Sequence, residues 1–263
     1  MSRIAEVFTG LQAGTHPGLV AYVTAGDPDL SHTADILVAL AANGADVIEV
    51  GIPFSDPLAD GPVIQRASER ALASGATLRG ALRMIRDTRS RIAAPIVLFT
   101  YANPVLRMGE AAFVKDAADA GVDGVLVLDL PVEEAGPFRG RLVDADLDPI
   151  FLLSPTTTNA RVRASSSLGR GFLYVISRLG VTGARDRVAT DAETLVRRIR
   201  AHSDLPLALG FGISRPEHVA EVGRWADAAV VGSALVNVIA EHGAAPGVAE
   251  RAGEYVRWLK GQA

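Results

Sequence analysis

The strongest constraint on this chain is an alternation that runs its whole length, in which short apolar runs are each followed by a stretch of helical periodicity. The runs fall at 19–24, 47–51, 95–100, 124–128, 149–153, 172–176, 205–209 and 228–231, and branched aliphatic residues dominate them. Ser31 reads as the cap of a helix that ends near Asn43-Gly44 and gathers Ile36, Leu37, Leu40 and Ala41 on one face. Further helical patterns run through 63–74 and 78–89, with Thr77 as a cap for the second. Others lie near 110–119, near 133–145 behind Glu133-Glu134, and near 159–168. Capping boxes at Thr190 to Glu193 and at Ser214 to Glu217 predict two more helix starts, and the last two helices are expected at 233–240 and 248–260. Eight strand–helix units predict a (β/α)8 TIM barrel. A doubly wound open sheet has the same local pattern, so alternation alone favours the barrel without deciding it. An extra helix over 3–12, with Ile4, Val7, Phe8 and Leu11 on one face, suits a lid on one barrel end. The simplest division is one domain, 1–263.

Composition removes several chemistries. With no cysteine among 263 residues, disulfides, thiolate catalysis and cysteine-based metal centres are excluded. Lys115 and Lys260 are the only lysines, one in a helical, solvated pattern and one in the tail, which disfavours an imine mechanism. A net charge of −4 offers no general attraction to nucleic acid or anionic lipid. The five histidines show no ligand spacing, and no metal site is expected. The N-terminus lacks the apolar core of a signal peptide and no stretch is long enough to span a bilayer, so the expected setting is cytoplasmic.

The most informative stretch runs from Asp46 to Gln65. Its strand, 47–51, is apolar except for Glu49, and burying an unpaired carboxylate costs several kcal/mol as an order of magnitude. Glu49 is therefore turned to a polar cavity or functional. The following loop carries Asp56 and Asp60 among prolines and glycines, and Pro62 is placed to open a helix. Glu49 and Asp60 make a plausible acid/base pair; loop aspartates also serve simply as turns and caps. Near the C-terminus, Leu209-Gly-Phe-Gly-Ile-Ser214 and Val230-Val-Gly-Ser-Ala234 each join a strand to a helix. Glycines there let a ligand approach the backbone, and helix N-termini offer unpaired N–H groups to an anion such as phosphate. Tyr22, Tyr101 and Tyr174 recur at or near strand ends and, with Phe211, could line a slot for a flat ring.

These residues carry a resemblance. The run Glu49-Val-Gly-Ile-Pro-Phe-Ser-Asp-Pro-Leu-Ala-Asp60, continuing to Gln65, is similar to the signature of the tryptophan synthase alpha subunit family. So are Ala25-Gly-Asp-Pro28, Tyr101-Ala-Asn-Pro104, Asp129-Leu-Pro-Val-Glu-Glu134, Ser177-Arg-Leu-Gly-Val-Thr-Gly183, Gly210-Phe-Gly212 and Val231-Gly-Ser-Ala234. The resemblance implies retro-aldol cleavage of indole-3-glycerol phosphate to indole and glyceraldehyde 3-phosphate. It implies no cofactor in this chain, and a beta subunit that carries pyridoxal phosphate in an alpha2beta2 heterotetramer. Glu49 would be the general acid/base and Asp60 the carboxylate that stabilises charge at the ring nitrogen. Tyr22, Ile64, Tyr101, Tyr174, Thr182 and Phe211 would contact substrate, and Gly183, Gly212, Gly232 and Ser233 its phosphate. Pro53, Asp56, Pro57, Asn103 and Pro131 would meet the partner. Tyr22 stands where the family usually has phenylalanine, so its hydroxyl could alter pocket polarity. A stand-alone lyase, another phosphosugar barrel and a silent ligand-sensing subunit remain alternatives.

Overall fold

The computed structural model describes residues 1–14, 16–177, 185–210 and 212–261, with the backbone alone for 185–190. Its strands are β1 (Gly18–Thr24), β2 (Val47–Gly51), β3 (Ile96–Thr100), β4 (Gly124–Val127), β5 (Asp148–Leu153), β6 (Leu173–Ile176), β7 (Leu207–Gly210) and β8 (Ala228–Val231). Each pairs in parallel with its sequence neighbour, and β1 pairs with β8, Gly18 opposite Ala228 through Ala21 opposite Val231. The barrel is closed, so the open-sheet alternative falls.

Period-two alternation sorts each strand into two cores. On β2, Val47 packs inside the barrel while Ile48 and Val50 pack outward against the helical layer. Val20, Val97, Leu126, Ile150 and Val230 fill the interior with Val47. Helix α1 (Arg3–Gln12) inserts Ile4 and Phe8 into that interior, with the Phe8 and Phe172 ring centroids 5.3 Å apart. The expected lid thus seals the N-terminal end.

The outer layer holds α2 (Leu30–Ala42), α3 (Pro62–Ala73), α4 (Leu78–Thr88), α5 (Ala102–Met108), α6 (Glu110–Asp119), α7 (Gly136–Asp144) and α8 (Asn159–Leu168). It continues with α9 (Arg185–Arg200), α10 (Pro216–Val222), α11 (Ser233–His242) and α12 (Val248–Leu259). Several starts differ from expectation. Asp29, not Ser31, caps α2, because its carboxylate accepts the His32 N–H at 2.9 Å. Helix α7 begins beyond Glu133-Glu134, which lie in the preceding turn, where Glu133 pairs with Arg161 at 2.7 Å. Thr190 lies inside α9 and starts nothing; the buried face of Ala192, Leu195, Val196 and Ile199 decides that helix. Arg215 occupies the N-cap of α10, where Pro216 sets the first turn and the Ser214 carbonyl instead accepts the Tyr255 hydroxyl at 3.0 Å. Helix α5 was not expected at all.

One device recurs at the N-terminal end. Asp46, Asp123 and Asp227 each directly precede an even-numbered strand, and each accepts an N–H from the preceding odd one. The donors are Leu19, Ile96 and Leu207, all at 2.7 Å. Each carboxylate also holds a cation: Lys260 on Asp46 at 2.6 Å, Arg89 on Asp123 at 3.0 Å, and Arg200 on Asp227. Strand starts are thereby fixed and their orphan donors satisfied.

Candidate active site

Glu49 points into the barrel from the middle of β2, opposite Tyr22 on β1 and Val97 on β3. It is fully buried, and neither carboxyl oxygen has a hydrogen-bond partner among the described residues. Burial without a compensating donor favours the neutral form and pushes its pKa to about 8. At neutral pH the side chain is therefore a carboxylic acid holding its proton in reserve.

Asp60 is placed by the loop after β2. Tight bonds from Leu58 N–H to the Asp56 carbonyl (2.8 Å) and from Asp60 N–H to the Pro57 carbonyl (3.0 Å) fold that loop. Pro62 then occupies the first turn of α3, where a missing N–H costs nothing. From α3, the Gln65 side-chain amide donates back to the Asp60 carbonyl at 2.8 Å and the Pro57 carbonyl at 3.4 Å. The Tyr101 hydroxyl donates to the Asp60 carboxylate at 3.0 Å and accepts the Ala59 N–H at 3.3 Å. Burial raises the Asp60 pKa to about 6 and the tyrosine's donation opposes it, so Asp60 is mostly ionised at pH 7. A proton-bearing acid and an ionised one at the same barrel mouth are suited to distinct roles.

A cavity of about 700 Å³ opens at this C-terminal face. Asp60, Tyr22, Ile64 and Tyr174 line it, as do Gly212, Gly232 and Ser233, so the structure brings these seven expected residues together. Its apolar part is an aromatic slot: Tyr22 meets Phe99 edge-on with centroids 5.6 Å apart, and Phe99 lies 6.3 Å from Tyr174. Burial, then the charges of nearby Asp60 and Glu49, pushes the Tyr22 phenol up; burial and the same two acids do so for Tyr174. Both phenols thus stay neutral. The Tyr22 hydroxyl turns toward Thr24, 3.5 Å away, and a Cβ on Gly51 would stand only 2.0 Å from it. Gly51 makes room for that hydroxyl, so Tyr22 offers the cavity its ring more than its polar tip.

Among the described residues, the other expected ones lie off the cavity wall. Tyr101 is not on the cavity wall but stands behind Asp60. Glu49 is not on the wall either; it sits beside Tyr22, its register neighbour on β1, fully buried. Pro53 is buried, whereas Asp56, Asn103 and Pro131 are exposed and Pro57 is half-buried. Phe99, Leu128, Leu152, Ser154 and Asn237 line the cavity without having been anticipated. For Phe99 the signal was available, since it sits two residues beyond inward Val97 on an alternating strand. Thr182, Gly183 and Phe211 lie outside the described residues.

Next to Tyr22, Gly232 occupies the N-cap of α11 with no side-chain cap. The first helical bond back to it comes from Val236, at 3.0 Å, so the amides of 233–235 are left for an anion. Gly212 holds φ +68°, a left-handed conformation that favours glycine, and leaves open space where a Cβ would be. Among the described residues, no arginine or lysine lines the cavity, so helix-terminus amides are its main anion-directed donors. Nor does any described cluster of histidine and carboxylate residues have the makings of a metal site, and no described helix is long and apolar enough to cross a membrane.

The closed barrel, with its chemistry-bearing cavity at the C-terminal face, has the build of a (β/α)8-barrel enzyme. The family model described as tryptophan synthase alpha chain matches residues 8–260. A tryptophan synthase alpha chain from Solibacter usitatus is 46% identical over 99% of this chain and 97% of its own length. One from Citrifermentans bemidjiense is 48% identical at the same coverage. The crystal structure of the alpha subunit from Legionella pneumophila superposes with a TM-score of 0.90 at 36% identity, covering 100% of this chain and 98% of that one. A chain of the tryptophan synthase complex from Pyrococcus furiosus gives 0.85 at 39% identity, covering 94% and 98%. The chain belongs to the tryptophan synthase alpha chain family.

Proposed function

We propose that this chain cleaves indole-3-glycerol phosphate to indole and glyceraldehyde 3-phosphate, the alpha reaction of its family. The observation that carries this reading is the pair of unlike acids: Glu49 protonated and unpaired, Asp60 mostly ionised and held. Protonating the indole ring at the carbon that bears the side chain interrupts its aromaticity and places positive charge on nitrogen. Glu49 supplies that proton and Asp60 offsets the charge. The carbon–carbon bond then breaks as the adjacent side-chain hydroxyl loses its proton to the Glu49 carboxylate, which leaves an aldehyde and free indole. Glu49 lies just off the cavity wall, so its side chain turns toward the ring to act; without hydrogen bonds it is not tethered against that turn.

The slot of Tyr22, Phe99 and Tyr174 suits the flat ring, and the amides at the start of α11 suit the phosphate. No cofactor of this chain enters these steps; pyridoxal phosphate is assigned to the beta subunit. That partner docks on the same face, two copies of each chain to an assembly. Leu58 and Leu106 support this placement, since they are 92% and 63% exposed beside Asp56, Asn103 and Pro131. Titrating indole formation with purified beta subunit tests both parts. The expected rise is more than about tenfold through ordering of Asp60, and it weakens in a Pro57→Ala, Pro131→Ala double variant. Turnover without any response to the partner would favour a stand-alone lyase, and no indole at all would remove the assignment.

A further inference from the structure

Tyr101 controls the Asp60 carboxylate, so whatever fixes Tyr101 also acts on Asp60. Tyr101 is the N-cap residue of α5, but its own side chain makes no capping bond. The acceptor comes from another strand: the Ala102 N–H donates to Asp129 Oδ1 at 2.6 Å, just beyond the end of β4. Pro104, in the same first turn, has no N–H, which leaves few donors there to be held. Leu128 N–H to the Thr100 carbonyl, at 2.8 Å, ties the same two strand ends together. The Tyr101 ring packs on Phe54 with centroids 5.1 Å apart, and its hydroxyl is shared between the Ala59 amide and Asp60.

We propose that Asp129 is a positioning residue for the reaction: by holding the amide next to Tyr101, it keeps the Tyr101 hydroxyl aimed at the Asp60 carboxylate. The exposed Asp129 thus reaches the cavity through one peptide unit and one phenol. This rests on the reading of Asp60 as the ionised partner in the reaction. A helix cap that served only stability would leave the acidity of Asp60 alone; a positioning residue would not. The titratable groups around Asp60 are Tyr101 at the start of α5, Tyr22 on β1, Tyr174 on β6 and Glu49 on β2, and no described cation pairs with it. Tyr101 is its one side-chain hydrogen-bond donor among the described residues.

The sign follows. Donation from Tyr101 favours the Asp60 anion, so misdirecting that hydroxyl raises the Asp60 pKa. Carboxyl-carbon NMR titration of Asp60 in the free chain reads this without substrate. Asp129→Ala should raise the midpoint by about half a pH unit or more. Tyr101→Phe should raise it at least as far, and the double variant no further than Tyr101→Phe alone. Asp129→Asn keeps an acceptor oxygen and should stay near the parent value. In turnover, the acid limb of kcat/KM should move upward by the same amount, with KM nearly unchanged. A melting temperature that falls while the Asp60 midpoint stays put would reduce Asp129 to a helix cap and overturn the proposal, as would additive shifts in the double variant. If Asp129→Ala does not fold, Asp129→Ser, whose shorter hydroxyl cannot reach as far, serves the same comparison. A parent chain that forms no indole would defeat the lyase reading while leaving the NMR coupling to stand or fall separately.

Discussion

Three half-buried acids at the N-terminal end of the barrel and two acids at the C-terminal end are held in opposite ways. The buried Asp148, also at the N-terminal end, has the Ser2 hydroxyl and no ion pair among the described residues. At the N-terminal end, Asp46, Asp123 and Asp227 each accept a strand N–H and each hold a cation. At the C-terminal end, Glu49 has no described partner and Asp60 has a phenol but no cation. Asp27, also near the mouth, shows that pairing is available there, since Arg70 grips it with bonds of 2.8 and 2.7 Å. Two acids at this end, Asp60 on the cavity wall and Glu49 just off it, are left unpaired by cations while Asp27 is gripped, and local rules tend to be broken where function requires it. The N-terminal end holds the barrel together; the C-terminal end retains electrostatic cost that chemistry can use.

The sharpest way to break this contrast is Glu49→Gln. Indole formation should fall by about 10²-fold or more, because the amide neither gives nor takes the proton. Stability should move the other way. The folded carboxyl keeps its proton up to about pH 8 and the unfolded one releases it near 4.5, so the parent loses stability as pH rises between those values. The loss approaches about 1.4 kcal/mol per pH unit, and the glutamine variant should be spared it. Denaturant melts at pH 5 and pH 8 give the comparison. A variant no more resistant at pH 8 would mean that Glu49 is not held neutral.

The N-terminal end should respond in the reverse sense. Arg89 donates to the Gly121 carbonyl at 2.7 Å and to Asp123, and both charged groups are largely buried. Arg89→Ala should cost about 2 kcal/mol of stability, because it leaves Asp123 with the Ile96 N–H and the more exposed Arg3 at 3.5 Å, while kcat per folded molecule stays within about twofold. A drop in kcat at full folding would couple the two ends and spoil the division. The smallest effect is expected of Ser233→Ala, since backbone amides carry the phosphate: a rise in KM of about threefold or less. A much larger rise would move phosphate recognition to the hydroxyl.

What the sequence made legible follows from how local each signal is. Strands were readable because they are short apolar runs, and Glu49 stood out because it interrupts one. Helix α5 was not readable, because Asn103-Pro104 looks like a loop, yet a proline in the first turn gives up only an N–H that a helix leaves free. The boxes at Thr190 and Ser214 misled because a four-residue motif has no knowledge of which face packs. The Tyr101–Asp60 bond joins residues 41 apart and the Arg89–Asp123 bond residues 34 apart, so neither leaves a mark in local sequence. Asp46, Asp123 and Asp227 each stand between an alanine or valine and an apolar strand run, so their repetition is visible in sequence, but the strand N–H and the cation that each holds come from far along the chain and appear only in three dimensions.

The most direct measurement is the pH dependence of kcat/KM for indole release by this chain with saturating beta subunit. Asp60 must be ionised, so the rate should rise with pH through about 6; Glu49 must be protonated, so it should fall through about 8. The alkaline limb should vanish in Glu49→Gln, along with most of the rate. A flat profile, or an alkaline limb that survives in that variant with undiminished turnover, would contradict the assignment of the two unpaired acids.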